Sequence, residues 1–188
     1  MKIYVASSWR NHYHPEVVSA LRADGHEVYD FKGSGDGWGS DGKGPGGFGW
    51  SEIDKEWERE WTKDIPRYLQ ALNHPRAIEG FRRDMDALEL ADACVMVMPC
   101  GPSASMEMGW ACGAGCFVAV YIPAIREPDL MVKMADLITS DLEEIRAALQ
   151  GVARKFDELD RKLGFVSEPL LAGRSTPHEA VAPTEAKP

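Results

Sequence analysis

The chain has 188 residues, 44% hydrophobic and 27% charged, a composition that predicts one globular domain with a sizeable core. Thirty Asp and Glu against 21 Lys and Arg give a formal net charge of -9, so the surface repels a phosphate polymer and argues against a nucleic-acid partner. No apolar run reaches the roughly 18 residues of a membrane span, and the opening MKIYVASSWRN passes from a strand-like run straight to polar residues, unlike a secretory leader. A cytoplasmic protein with no membrane partner is expected.

Ile3–Ala6 predicts a short strand, after which Ser7-Ser8-Trp9-Arg10-Asn11 turns polar. Pro15 suits the first turn of a helix, Val17, Val18 and Leu21 give it an apolar face, and Gly25 suits its end. His26–Phe31 reads as a second strand, so the opening is a β-α-β unit with parallel strands. Half of residues 33–50 are glycine, with Trp38, Phe48 and Trp50 interleaved, which predicts a long loop of the kind that covers a site. Ser51-Glu52-Ile53-Asp54 fits a capping box opening a helix, whose stripe Ile53, Trp57 and Trp61 is interrupted at Pro66. Trp57 and Trp61 read as packing residues at helical spacing.

A helix is predicted over Arg76–Leu90, a strand over Ala93–Met98, a helix over Ser103–Gly113 and a strand over Phe117–Ile122. Helices follow over Asp129–Ala135 and Asp141–Leu163, the latter with Leu142, Ile145, Leu149, Val152, Phe156, Leu159 and Leu163 on one face. Past Gly164 the chain turns to Pro, Ala, Thr and Glu, and 167–188 reads as a disordered tail. Strands alternating with helices predict an α/β domain over 1–166, with a mostly parallel sheet and the loop 33–50 inserted. Such sheets bind ligands beyond the carboxyl ends of their strands, which directs attention to Ser7–Asn11, the glycine-rich loop and Pro99–Glu107.

Two glycine patterns do not qualify as motifs. Gly37-Trp38-Gly39-Ser40-Asp41-Gly42 satisfies GxGxxG only because the region is half glycine, and no helix follows it. Gly37–Gly44 approaches a phosphate-binding loop, but Gly44 stands where the magnesium-holding hydroxyl belongs. Cysteines 94, 100, 112 and 116 form no CxxC pair, and the five histidines are scattered, so packing thiols and no metal or other cofactor are expected.

The stretch from Gly80 to Ala111 carries an acidic helix into a buried strand, then a Gly/Pro/Ser turn, with Glu107 in the first turn or two of the next helix. A carboxylate there sits at the sheet rim near backbone N–H groups, ionised and able to attack a ligand; equally, it could do no more than complement the helix dipole. Gly101 and Gly109 leave room for a ligand against the backbone. Asp84 reads either as a second acid of that site or as a solvent-facing residue among Arg82, Arg83 and Asp86. Asp92 reads as a cap of the helix-to-strand turn.

Ile3-Tyr4-Val5-Ala6-Ser7-Ser8, Asp84, Leu90-Ala91-Asp92 and Ser105-Met106-Glu107-Met108-Gly109-Trp110-Ala111, in that order and separation, resemble the nucleoside 2-deoxyribosyltransferases and their relatives that hydrolyse deoxynucleoside 5′-monophosphates. The resemblance covers about residues 1–135. It implies a flavodoxin- or Rossmann-like α/β fold and an enzyme that cleaves the N-glycosidic bond of a nucleoside or nucleotide. Glu107 would attack the anomeric carbon and form a covalent glycosyl-enzyme, which another base or water resolves. Tyr4 would orient that nucleophile, and Asp84 would bind or protonate the leaving nitrogen.

The resemblance has departures. Transferases carry an acid, and hydrolase relatives a phosphate-binding serine, six residues before the nucleophile; this chain has Gly101 there, leaving Ser103 or Ser105 as substitutes. Ser8 and Arg10 match groups that bind a 5′-phosphate, for which a guanidinium fork is well suited. Asp129 and Met131 match a stretch that reaches into a neighbouring subunit's site, where an acid repels a phosphate but accepts from a 5′-hydroxyl. Transferase and hydrolase therefore both stand, with a homodimer or higher homo-oligomer implied. Trp9, Trp38, Trp50 and Trp110 are candidates to stack on the base. A nucleotide-binding sensor without turnover is the reading from a different class, since fold does not dictate activity.

Overall fold

The computed structural model describes residues 1–33, 38, 47–61, 63–125 and 127–163. The glycine-rich loop 33–50 lies mostly, and the tail 167–188 wholly, outside the described residues. The chain divides into two compact units, Met1–Ala153 and Arg154–Pro188. The first holds the sheet. The described part of the second is helical, and within it Arg161 Nε donates to the Asp157 carbonyl at 3.1 Å.

Strand β1 (Lys2–Ala6) is followed by helix α1 (His14–Ala23), which has Pro15 in its first turn and buries Val17, Val18 and Leu21. Gly25, at φ +84°, turns the chain back into β2 (Glu27–Tyr29). A 3-10 turn (Trp50–Glu52), α2 (Trp57–Glu60) and α3 (Ile65–Ala71) lead to α4 (Pro75–Leu90) and β3 (Ala93–Val97). Helix α5 (Pro102–Ala114) ends at Gly115, φ +81°, before β4 (Phe117–Tyr121). A second 3-10 turn (Leu130–Met134), β5 (Leu137–Thr139) and α6 (Leu142–Leu163) complete the order. Among the described residues no helix is long and apolar enough to cross a membrane.

The five strands form one parallel sheet in the order β2-β1-β3-β4-β5. Alternation along each strand divides the core in two. Ile3, Val5, Val95 and Val97 meet Val17, Leu21, Ile145 and Leu149 of α1 and α6. Tyr4, Ala6, Cys94 and Met96 meet Leu88 of α4 and Ala104, Met108 and Ala111 of α5. That second face, under α4 and α5, carries the site. Asp92, expected to cap the helix-to-strand turn, ties that turn to β1 instead: its Oδ2 accepts the Lys2 backbone N–H at 2.7 Å.

Four local expectations differ. The capping residue near 51 is Gly49, whose N–H donates to Glu52 at 2.8 Å, and it closes a 3-10 turn rather than opening a long helix. The stripe Ile53, Trp57, Trp61 is not one helix, because Asp54 accepts from Trp61 Nε1 at 2.9 Å and pairs with Arg67 at 2.8 Å, fixing a side-chain network in place of helical turns. Pro66 opens α3 instead of interrupting a helix, and Asp64 caps it. The helix expected over Asp129–Ala135 is the 3-10 turn, capped by Asp129 Oδ1 accepting from Met131 N–H at 2.8 Å.

Candidate active site

The strand order reverses between β1 and β3, so the segments leaving those strands diverge and open a crevice at the carboxyl edge of the sheet. The segment after β1 is fastened across it. Ser7 Oγ donates to the Val97 carbonyl at 3.2 Å, and Asn11 Nδ2 donates to the Val97 and Pro99 carbonyls at 2.9 and 3.2 Å. A cleft of about 630 Å³ fills the crevice, walled by this segment, one face of α4 and the first turns of α5.

Glu107 enters the cleft from α5. The helix starts at Pro102 after Gly101, so Glu107 falls in its second turn, beyond the main reach of the helix dipole. A dipole-complementing role therefore has no basis here. Asp84 comes from α4, where Ala77, Phe81, Asp84 and Leu88 recur at helical spacing and all line the cleft. Arg82 and Asp86 face water while Asp84 turns inward.

Both carboxyls are withdrawn from water. Burial pushes Glu107 from the usual 4.5 to about 7; the Asp84 charge adds to this, and the Tyr4 hydroxyl opposes it. Burial raises Asp84 as well, against a hydrogen bond from Tyr29 and the charge of Arg83. Tyr29 Oη donates to Asp84 Oδ1 at 2.7 Å. Tyr4 and Tyr29 are partners in the parallel register of β1 and β2, and their rings stack at 5.1 Å and 16°.

Tyr4 Oη is fully buried and lacks a geometrically complete hydrogen bond, although it faces Glu107 closely enough to favour its carboxylate. Burial and the Glu107 charge hold the Tyr4 phenol well above its ordinary value, so it keeps its proton. The pattern is two largely buried acids sharing one cleft, each addressed by a tyrosine from the sheet beneath.

No family model matches the chain, and no curated protein matches it. Among solved structures the fold is similar to that of a 2-deoxyribosyltransferase from the psychrotolerant bacterium Bacillus psychrosaccharolyticus, at 18% identity and a TM-score of 0.46, over 77% of this chain and 90% of that one.

Of the residues singled out in the sequence, Glu107, Asp84, Ser8, Trp9, Gly101 and Ser103 line the cleft, as do Trp50 and Trp110. Tyr4 lies beneath it. Trp38 packs edge-on against Tyr29 at 5.5 Å. Arg10 is exposed, ion-paired with Glu58, and off the wall. Ser105 is on α5 next to Cys100, while Asp129 and Met131 belong to the 3-10 turn; none of these three lines the cleft. Sequence reasoning missed Tyr29, Phe31, Ile78, Phe81, Arg83 and Met106, all on the wall. For Tyr29 a signal existed: a second tyrosine near the end of the strand expected beside Tyr4. Among the described residues no three His, Cys, Asp or Glu gather to hold a metal ion. Cys112 and Cys116 point their sulfurs at the Met134 and Ala91 carbonyls, at 3.5 and 3.4 Å.

Proposed function

We propose that the protein cleaves the N-glycosidic bond of a nucleoside, or of its 5′-monophosphate, through a covalent glycosyl bond to Glu107. The observation that carries this reading is the pair Glu107 and Asp84, two buried carboxyls facing one cleft, with Glu107 held near neutrality by burial and by its neighbour. Two carboxyls facing one cleft can supply the nucleophile and the acid that such a reaction requires. The sequence resemblance assigns the same two residues to the same two tasks.

A Glu107 oxygen attacks the anomeric carbon as the carbon–nitrogen bond breaks, and the leaving nitrogen takes the proton of Asp84. An incoming base or water then attacks the same carbon, gives its proton to Asp84 and frees Glu107. Tyr4, buried and protonated, donates towards Glu107 and positions it. Gly101 and the hydroxyls of Ser8 and Ser103 border the reactive end and suit the sugar.

Transferase and 5′-monophosphate hydrolase share this chemistry and differ in what resolves the intermediate. Arg10, engaged with Glu58 at the surface, lends the phosphate reading little support in its present position. Asp129, Leu130 and Met131 lie off this chain's own cleft, with Leu130 and Met131 exposed, which suits a turn that reaches the site of a second copy in a homodimer.

The test incubates the protein with nucleosides and 5′-monophosphates, with and without an added base, and follows free base by chromatography. Release without acceptor identifies a hydrolase, and exchange only with acceptor a transferase. Glu107→Ala should abolish either while the circular dichroism spectrum stays unchanged. Binding without turnover in the wild type would favour the sensor and end the catalytic reading.

A further inference from the structure

The cleft is longer than its reactive end. Helix α4 rises about 1.5 Å per residue, so Ala77 lies roughly 10 Å along it from Asp84, more than the width of a purine. The charged residues of the wall, among those described, are Arg83, Asp84 and Glu107, all at one end. Beyond Phe81 the described residues of the wall include Ile78, Ala77, Leu72, Gly47, Phe48 and Trp50.

This apolar half is built rather than incidental. A Cβ at Gly80 would stand 2.7 Å from Phe48 Cβ, so the Phe48 side chain rests directly on the backbone of α4. Trp50 packs edge-on against Phe48 at 4.8 Å and against Trp61 at 5.2 Å, which backs the wall from behind. At the mouth Phe81 is 66% exposed, Met106 69% and Ile78 53%. Scattered apolar side chains on a surface need no explanation, but three converging on one cleft leave apolar area for a ligand to cover.

We infer that the substrate is a nucleoside whose base carries an apolar alkyl or aryl substituent, which extends from Asp84 along α4 into this half of the cleft. The inference rests on the proposed function, which sets the base against Asp84. An unsubstituted base would leave the apolar wall in water, and a polar extension would lose its hydration there without replacement partners. A second copy of the chain would cover the mouth but would not fill a channel continuous with the two carboxyls.

The experiment uses two matched pairs: 2′-deoxyadenosine with its analogue benzylated on the exocyclic amine, and 2′-deoxyuridine with its analogue phenylated on the base. Both kcat/KM for base release and the Kd by calorimetry are measured on the full chain and on Phe81→Asp and Ile78→Asp. Both positions are half in water, so a charge there is compatible with folding. The substituted member should win by at least about tenfold in one or both pairs, and each variant should bring the ratio towards one. A ratio at or below one in both pairs, or one that neither variant changes, overturns the inference. Tighter binding of the substituted member without base release, lost in the variants, would uphold it while the catalytic reading falls. Base release with no preference would do the reverse.

Discussion

Replacing Glu107 by Gln should stabilise the protein at alkaline pH. The side chain ionises at about 7 where an ordinary glutamate ionises at 4.5, chiefly because it is buried and secondly because Asp84 is charged. A carboxyl whose proton is held more tightly in the folded state than in the unfolded chain favours folding at low pH; that advantage is lost as pH rises from about 4.5 to about 7. Each pH unit in that window is worth roughly 1.4 kcal/mol, so the ionised side chain costs the fold about 3 kcal/mol above neutrality. Gln has the same shape and no charge to desolvate. Urea unfolding followed by tryptophan fluorescence, at steps from pH 4 to 8.5, should give equal stabilities for the two proteins at the acid end. Glu107→Gln should then lead by about 3 kcal/mol at the alkaline end. Parallel curves, or a variant less stable at pH 8, would refute the claim that this carboxylate is held in a dry, repulsive site.

Asp84→Asn removes the proposed acid, and base release should fall by about 10²–10⁴-fold, with a smaller loss for a nucleoside whose base leaves without protonation; equal losses for both would remove Asp84 from the proton transfer. Tyr29→Phe deletes a donor that favours ionised Asp84, so the Asp84 carboxyl should rise further and the matching limb of the rate–pH profile move to higher pH, by about one unit. An unmoved profile would leave Tyr29 a packing residue. Arg10→Ala should weaken 5′-monophosphates more than nucleosides, by about 2 kcal/mol, if the guanidinium leaves Glu58 for a phosphate. Equal loss for both classes in titration calorimetry would exclude that role.

The parts of the molecule legible in the sequence are those whose physics is local. Ile3–Ala6 and Ala93–Met98 read as buried strands because a parallel sheet covered on both faces needs continuous apolar runs. Helix α6 reads from its 3.6-residue period. Strand β5 does not, since three residues with Ile138 part-exposed at an edge carry no period. The region 49–72 misleads because Trp50, Trp61 and Tyr68 satisfy one another across short elements, and a stripe of aromatics spaced for a helix is equally a cluster of aromatics meeting in space. In the site, Glu107 and Gly101 are six residues apart on one turn and helix, so their relation is visible in a string of letters. Tyr29 meets Asp84 only through the pairing of β1 with β2 and the packing of α4 over the sheet. Arg10 is the converse case: its spacing invites a phosphate, and Glu58, 48 positions away, occupies it.

The two tyrosines divide the work between the acids, and their asymmetry bears on the proposed reaction. Asp84 receives a complete hydrogen bond from Tyr29, while Glu107 faces a Tyr4 hydroxyl that has not closed one. Burial raises both carboxyls, Glu107 to about 7, whereas attack on a sugar demands an ionised Glu107 beside a protonated Asp84. In the proposed reaction a bound nucleoside supplies that arrangement. A base nitrogen accepting from Asp84 favours the proton there, on the oxygen Tyr29 does not occupy. Positive charge growing at the anomeric carbon favours the Glu107 carboxylate, and Tyr4 needs only a small shift to complete its bond to it. In the proposed reaction the acid form of Glu107 spares the cleft a buried charge, and the ionised form is the one that a sugar receives. Such an arrangement needs the two carboxyls close enough to share one proton and a wall dry enough for that sharing to matter. Phe31, Met85, Leu88 and Trp110 are apolar side chains that line the same cleft as the two acids.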